Sequence, residues 1–181
     1  MHDENTPVTM DGINLVVQRY NAMNGKQASI LCEILRSQQV AALGTLHDGQ
    51  PFVFMVPYAV LPDGQGLVIH VSQLAAHTRD MLAHTQVSLM AMALPAAEVS
   101  AQATARFTIQ GQAKPSRDSD PGHEQAKVAY LSRFPDSREL FGFSDFSLFI
   151  IAPTSVRVVA GFAQASTLSA SEFAELLRNP Q

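Results

Sequence analysis

The chain of 181 residues has no tryptophan, a single cysteine and few charged side chains. One cysteine excludes an intrachain disulfide, and nothing else in the composition indicates an oxidising compartment. Charged residues make up 15% of the chain and the net charge is −4, so we expect no large basic surface for nucleic acid. The low charge content also leaves apolar surface that a second copy could cover.

Long hydrophobic runs are missing as well. No apolar stretch reaches the ~20 residues that span a bilayer, so no membrane partner is expected. Residues 1–12 are acidic and polar and lack the apolar core of a signal peptide, which predicts a flexible tail and a cytoplasmic location. The length suits one domain, which we assign to residues 13–181.

Apolar and alternating segments separated by turn residues predict most of the fold. Strands are expected over residues 40–46, 52–61, 67–71, 87–93, 103–113, 146–152 and 156–161. The pair Asp48-Gly49 indicates a tight hairpin between the first two strands. Pro57 interrupts the long second strand and indicates an edge or a bulge there.

Helical spacing of apolar residues is weaker and falls between the strands. Helices are expected over residues 14–24, 28–37, 75–84 and 124–134, and after Ser169. Ser169 and Glu172 have the spacing of a capping box, with Leu168 and Phe173 placed as a hydrophobic staple. Six or seven antiparallel strands with peripheral helices predict an α+β, mostly β, small barrel.

The segment from Ser72 to Arg79, SQLAAHTR, is the strongest candidate for a binding site. A strand ends just before it and a helix begins within it, and the first N–H groups of a helix face outward without intrahelical partners. Ser72 and Thr78 offer hydroxyls, and His77 offers a ring nitrogen. With the fixed charge of Arg79, these groups suggest a phosphate cradle, and the alternative is an ordinary helix start.

Arg106 is a second candidate, on the polar face of an alternating strand between Thr104 and Thr108. Its guanidinium could hold a cofactor or substrate carbonyl or a carboxylate, or it could be solvated or pair across a dimer interface. The histidines are scattered without metal-ligand spacing, so no metal site is predicted. No nucleophile elbow, phosphate-binding loop or dinucleotide motif is present, and the catalytic residues stay unassigned.

The order of several short segments resembles a known family. These are AALGTL at 41–46, DGQP at 48–51, VPYA at 56–59, SQLAAHTR at 72–79, VSL at 87–89, DFSLF at 145–149 and GFAQA at 161–165. They are similar to the FMN-binding split-barrel proteins related to pyridoxamine 5′-phosphate oxidase, nearest the haem-utilisation branch. The resemblance implies a homodimeric split β-barrel with a flavin in a groove at the dimer interface.

The resemblance also implies a set of cofactor-binding residues. The second strand would run beside the flavin, the start of the following helix would lie near its phosphate, and Arg106 would lie near its ring. The implied set is Phe54, Met55, Val56, Pro57, Ser72, His77, Thr78, Arg79 and Arg106.

Departures from the family pattern bear on the activity. Phe54, Ala59, His77 and Thr78 stand where the oxidase itself has cations, and the tryptophan of its substrate-binding segment has no counterpart. The C-terminal histidine of the haem-binding branch is also absent, since no histidine follows His123. The resemblance therefore implies an FMN-binding oxidoreductase of unknown substrate. The alternatives are a haem-binding or haem-utilisation protein and a cofactor-free interaction module on the same fold.

Overall fold

A single antiparallel sheet forms the centre of the computed structural model, which describes residues 23–162 and 164–179. The tail expected over residues 1–12 and most of the helix expected over 14–24 lie outside the described residues. The strands are β1 Val40–His47, β2 Gln50–Pro57, β3 Ala59–Val60, β4 Leu67–Ser72, β5 Gln86–Met92, β6 Arg106–Ser116, β7 Phe146–Val159 and β8 Ala165–Ser169. Their order is β2-β1-β5-β6-β7-β4-β3, and β8 pairs with β7.

The two edge strands of this sheet follow each other directly in the chain. β2 lies at one edge and β3 at the other, and only Tyr58 separates them. The sheet must therefore curl until its edges approach each other. Tyr58 is fully buried at this junction, and its backbone N–H donates to the Gln39 carbonyl at 3.2 Å. This curled antiparallel sheet confirms the mostly β split barrel expected from the sequence.

The barrel interior is filled by the inward-facing residues of the long strands. Leu43, Leu89, Phe107, Ile109 and Ile151 are all fully buried in one apolar cluster. Alternation along β1, β5 and β6 places these side chains inside and their neighbours outside, as the period of an extended strand requires.

Three strand predictions were wrong in their bounds. The strand expected over 52–61 is two strands, because the chain crosses from one sheet edge to the other just after Pro57. The strands expected over 146–152 and 156–161 are the single strand β7. Pro153 lacks an N–H and is accommodated opposite Gly111, where the pairing of β6 with β7 changes register. The short strand β8 was not predicted, since its sequence ASTLS has little apolar pattern.

Within residues 23–162 and 164–179, four α-helices cover the barrel: α1 Gly25–Ser37, α2 Ala76–Ala83, α3 His123–Arg133 and α4 Ala170–Arg178. The predicted capping box at Ser169 and Glu172 is confirmed, with the Glu172 carboxylate accepting from the Ser169 N–H at 2.8 Å. α1 begins with the same kind of capping box, formed by Asn24 and Gln27, which was not predicted from the sequence. None of the helices in the described ranges is long and apolar enough to cross a membrane.

Candidate functional site

A row of aromatic rings connects the edge strand β2 with the start of α2. His47 at the end of β1 lies 5.7 Å from Phe52, Phe52 lies 4.8 Å from Phe54, and Phe54 lies 5.1 Å from His77, measured between ring centroids. Phe52 and Phe54 point to the same side because they are two residues apart on a strand. We name these four residues the aromatic row. It brings together two residues of the predicted cofactor site, Phe54 and His77.

The start of α2 lacks a side-chain cap. Ala75 occupies the N-cap position and can offer no hydrogen-bonding group to the first turn. The backbone N–H groups of Thr78 and Arg79 reach the Ala75 carbonyl, at 3.2 and 3.5 Å. The N–H groups of Ala76 and His77 come earlier in the helix, where intrahelical acceptors do not exist. This helix end therefore suits an anion from outside the helix.

The hydroxyls of Ser72 and Thr78 are used within the chain. Ser72 Oγ donates to Asp145 Oδ2 at 2.8 Å and accepts from the Leu74 N–H at 3.1 Å. Thr78 Oγ1 donates to the Ser72 carbonyl at 2.7 Å, and the Thr78 side chain is buried. These contacts fix the connection between β4 and α2. They leave the backbone N–H groups and Arg79 as the donors that a ligand could reach.

Arg79 provides an exposed positive charge at this site, whereas His77 provides a half-buried, neutral ring. Arg79 is exposed, and one guanidinium nitrogen, Nη1, donates to the Leu74 carbonyl at 3.1 Å. The other N–H groups of its fork stay available to a ligand. Burial lowers the pKa of His77, against the opposing charge of Asp80, so its ring is neutral at pH 7. Its Nε2 is buried and has no hydrogen-bond partner among the described residues.

The remaining predicted site residues lie apart from this cluster. Met55 points away from Phe54 because the two are neighbours on β2, and it is 65% exposed on the other face of the strand. Val56 is buried in the core and Pro57 is half-buried at the strand end. Arg106 begins β6, and its Nη1 donates to the Thr104 carbonyl at 2.9 Å. The roles predicted for these residues stay predictions.

Sequence reasoning missed a hydrogen-bonded cluster behind the aromatic row. Asp80 on α2 is buried, and its two carboxylate oxygens contact Thr45 Oγ1 at 2.7 Å and His47 Nδ1 at 2.9 Å. The carboxylate fixes the orientation of the imidazole, and His47 Nε2 on the other side of the ring lies 3.8 Å from the exposed Asp48 carboxylate. His47 and Asp80 are 33 residues apart, and no motif connects them.

No group of three or more histidine, cysteine, aspartate or glutamate side chains gathers into a metal site in the described part of the chain. The candidate site is therefore a surface of aromatic rings beside an uncapped helix start. Such a surface suits a flat molecule that carries a negative charge.

Comparisons with known proteins show which proteins this chain is similar to. A chloroplastic relative, the non-canonical heme oxygenase HOZ of Arabidopsis thaliana, is 34% identical over 129 residues, or 71% of this chain. The chain spans 37% of that relative's length. The heme-binding protein of Mycobacterium smegmatis superposes with a TM-score of 0.73 at 27% identity, over 85% of this chain and 61% of the other.

A second similar structure shows the fold alone. The heme storage protein HutZ of Vibrio cholerae superposes with a TM-score of 0.61 at 23% identity, covering 68% of this chain and 87% of the other. The family model for pyridoxamine 5′-phosphate oxidase matches residues 31–160, which include β1 to β7 and the start of α2. The chain therefore belongs to the pyridoxamine 5′-phosphate oxidase family.

Proposed function

We propose that the protein is an FMN-binding flavoprotein and an oxidoreductase whose substrate is unknown. The observation that carries the proposal is the uncapped start of α2 beside the aromatic row. The helix start could bind a phosphate, and the adjacent aromatic row provides a flat apolar surface. FMN has both a phosphate and a planar ring. Membership of a family named for a flavin-dependent oxidase supports this choice.

The phosphate end of the site has fewer cations than the oxidase pattern implies. Arg79 is the only residue with a fixed positive charge between Ser72 and Ala83. A charged hydrogen bond contributes about 1.5–3 kcal/mol, so the affinity should depend strongly on this one side chain. The N–H groups of Ala76 and His77 and the positive end of the helix dipole would add to it.

The ring end of the site is supplied by β2. Phe54 and its neighbour Phe52 present aromatic faces or edges on one side of an exposed strand. When bound, FMN supplies the chemistry of hydride and electron transfer. The chain's own part is to hold the phosphate at α2, to place the ring against β2, and to keep His77 neutral beside it.

A titration with FMN and with riboflavin tests the proposal, because riboflavin lacks the phosphate. We expect Arg79→Ala to weaken FMN binding by about 1.5–3 kcal/mol, roughly 10- to 100-fold, and to leave riboflavin binding unchanged. Fluorescence quenching of the flavin measures both affinities. Arg178→Ala, which removes another exposed arginine at the end of α4, is the matched control. Equal losses for FMN and riboflavin would place Arg79 away from the phosphate.

Haem binding at the same groove is the second candidate. The names of two similar proteins concern haem, and the chain is 34% identical to one of them and 27% identical to the other. A specific feature of this chain also favours it. His77 Nε2 is a neutral, unpartnered histidine nitrogen next to an aromatic surface. Neutral imidazole is a common iron ligand, and a haem face would pack well on apolar rings.

Adding hemin to the purified protein tests this candidate. A haem ligated by His77 should give a sharp Soret band in the wild type that His77→Ala broadens or shifts. If haem only adsorbs to the aromatic rings without an axial bond, the wild type and the variant should give the same weak, broad band. Conversion of the wild-type complex to a bile pigment in air with a reductant would favour haem over FMN.

We also propose that the protein is a homodimer. Five apolar side chains on the outer surface of β1, β2 and β5 share one face of the sheet, and we name them the outer apolar face. They are Val40, Val53, Met55, Met90 and Met92, and each is at least 38% exposed. The register of the sheet places Met55 and Met90 on either side of Ala42. Such a continuous patch is typical of a protein–protein interface, and a symmetric pair is the commonest closed assembly.

A further inference from the structure

A second pocket lies on another side of α2, away from the aromatic row. It occupies about 560 Å³ between α2, the start of α3, the end of β6 and the start of β7. Thr78 and Leu82, which share a face of α2, line it, whereas His77 points to β2. A pocket of this size holds a small organic molecule rather than a single ion.

Three polar residues form a hydrogen-bonded chain in this pocket. Ser116 Oγ lies 3.1 Å from His123 Nδ1, and His123 Nε2 lies 3.1 Å from Asp118 Oδ1. A carboxylate can only accept, so Nε2 carries the proton, and in the neutral ring Nδ1 accepts from Ser116. Ser116 and His123 are both more than nine-tenths buried. The serine therefore orients the histidine so that its N–H points to a carboxylate.

The carboxylate that accepts this hydrogen bond belongs to a fully exposed side chain. Asp118 lies on the loop before α3, and its side chain is surrounded by solvent. His123, in contrast, is buried in the pocket wall. An exposed aspartate is easily displaced, because its ion pair contributes little and its release restores side-chain entropy. His123 Nε2 therefore already binds a carboxylate, that of Asp118. A ligand with a carboxylate or phosphate could take the place of the Asp118 side chain.

Two cationic side chains at the pocket also favour a negatively charged ligand. Arg117 and Lys127 line the pocket. Every ion pair among the described residues involves a histidine, so neither cation has a carboxylate partner there. Lys127 lies one turn after His123 on α3, and the N-cap of that helix, Gly122, provides no side-chain cap. The helix dipole and both cations therefore favour an anion at this end of the pocket.

The other wall of the pocket is aromatic. His70 and Phe141 stack with centroids 3.9 Å apart and planes 9° apart, and Phe146 lies 5.2 Å from the His70 ring. Burial lowers the pKa of His70 to about 4, so its ring is uncharged at neutral pH and behaves as part of the flat wall. His70 Nδ1 is also buried without a hydrogen-bond partner in the described chain. This wall suits a planar ring.

We propose that this pocket binds a small aromatic anion, whose oxyanion group replaces the Asp118 carboxylate at His123 Nε2 and whose ring packs on Phe141 and Phe146. A carboxylate and a phosphate share the required chemistry. The site is separate from the proposed FMN groove and does not depend on it.

Isothermal titration of the full chain with 1-naphthoate, 1-naphthyl phosphate and the neutral 1-naphthalenemethanol tests the proposal. We expect saturable binding of at least one anion, and binding of the neutral compound roughly tenfold weaker or worse. Lys127→Ala should weaken the anion about tenfold, whereas Lys26→Ala, an exposed lysine on α1, should not. Asp118→Ala should strengthen the anion roughly two- to fivefold, because it removes a competitor.

The comparison of the two naphthyl anions tells which oxyanion the pocket prefers, and either preference supports the proposal. Absence of saturable binding for both anions would overturn it. Weaker binding in Asp118→Ala would also overturn it, since Asp118 would then be part of the site and not its occupant. Equal losses in Lys127→Ala and Lys26→Ala would show a general charge effect and would refute the assigned position. Thermal melting of each variant confirms that the fold is kept.

Discussion

His47 and Asp80 connect the candidate groove to the barrel through one buried carboxylate. The hydrogen bond and the charge of Asp80 raise the pKa of His47 above its ordinary value of 6.5. Burial alone would raise the pKa of Asp80, but hydrogen bonds from His47 and Thr45 lower it below its ordinary 3.8. The contribution of this pair to stability is thus largest where His47 is protonated and Asp80 is ionised. It is lost as the pH rises through the raised pKa of His47, or falls through the lowered pKa of Asp80.

His47→Gln should therefore destabilise the protein more at about pH 5.5 than at about pH 9. Urea unfolding of wild type and variant at both pH values gives the two differences in free energy. The same comparison in an Asp80→Asn background is the control, because the pH-dependent part should vanish without the carboxylate. An equal effect of His47→Gln at both pH values would show that the ion pair does not contribute.

Single residues of the site were predictable only where they are close in sequence. Ser72, His77 and Arg79 lie in one short segment, and the structure places them at one helix start. Phe54 was assigned through the family resemblance; it lies beside His77, and its role in cofactor binding stays a prediction. His47 was considered only as a metal ligand, because a hydrogen bond across 33 residues has no sequence signal.

At the scale of secondary-structure elements, the close pairing of β6 with β7 leaves no space for a side chain at Gly111. At Gly111 an added Cβ would lie 2.5 Å from the Ala152 carbonyl oxygen and 3.2 Å from Ile151 Cγ2. Both neighbours are on β7, and the carbonyl belongs to the backbone, so neither can move without disturbing the sheet. The register shift beside Gly111 also accommodates Pro153.

Gly111→Ala should destabilise the protein by about 1–3 kcal/mol through overpacking. Gly142→Ala is the matched control, since a Cβ at Gly142 would meet nothing within 4 Å. Chemical unfolding of the two variants measures the difference. A Gly111→Ala protein as stable as Gly142→Ala would mean that β6 and β7 are not as closely apposed as described.

Elements were predictable where a periodic pattern or a cap marks them. The apolar alternation of β1, β5 and β6 and the capping box of α4 gave elements within a few residues of those observed. The bounds of β2, β3 and β7 were not predictable, because they depend on which partner strand the chain meets. A proline predicts a strand break locally, yet next to Pro153 the extra residue Thr154 forms a bulge on β7, and the strand continues through it.

At the scale of the whole molecule, β2 is an apolar edge strand that the other described residues leave exposed. Val53 and Met55 are each 65% exposed, although they lie in the middle of a strand. An edge strand with apolar residues on both faces is prone to aggregate unless a partner covers it. The low charge content of 15% is consistent with such an interface.

Light scattering should give a particle of twice 19.6 kDa at micromolar concentration. The interface should exceed about 1,600 Å² in total, since permanent homodimers bury more than transient pairs. Met55→Asp should shift the protein towards the monomer, because it buries a charge in the proposed interface. Leu82→Asp, at an exposed position of α2 outside the outer apolar face, is the control. A wild-type particle of 19.6 kDa would contradict the dimer.

The whole-molecule architecture followed from the family resemblance more than from the strand count. The pattern of apolar segments indicated a barrel of six or seven strands, whereas the sheet formed by the described residues has eight, two of them short. The curl itself was not predictable from local pattern, because it arises from the passage of β2 into β3 across the sheet. Ligand preference is less predictable still, since FMN and haem are both flat anions.

The visible absorbance spectrum of the purified protein, recorded during titration with FMN and separately with hemin, tests the central claim most directly. The account predicts saturable binding of one FMN per chain, with a flavin band that shifts on binding, and only broad, unsaturable absorbance with hemin. A sharp, saturable Soret band with hemin and no spectral change with FMN would contradict it and would favour the haem candidate. No saturable change with either ligand would contradict cofactor binding and leave the fold as an interaction module.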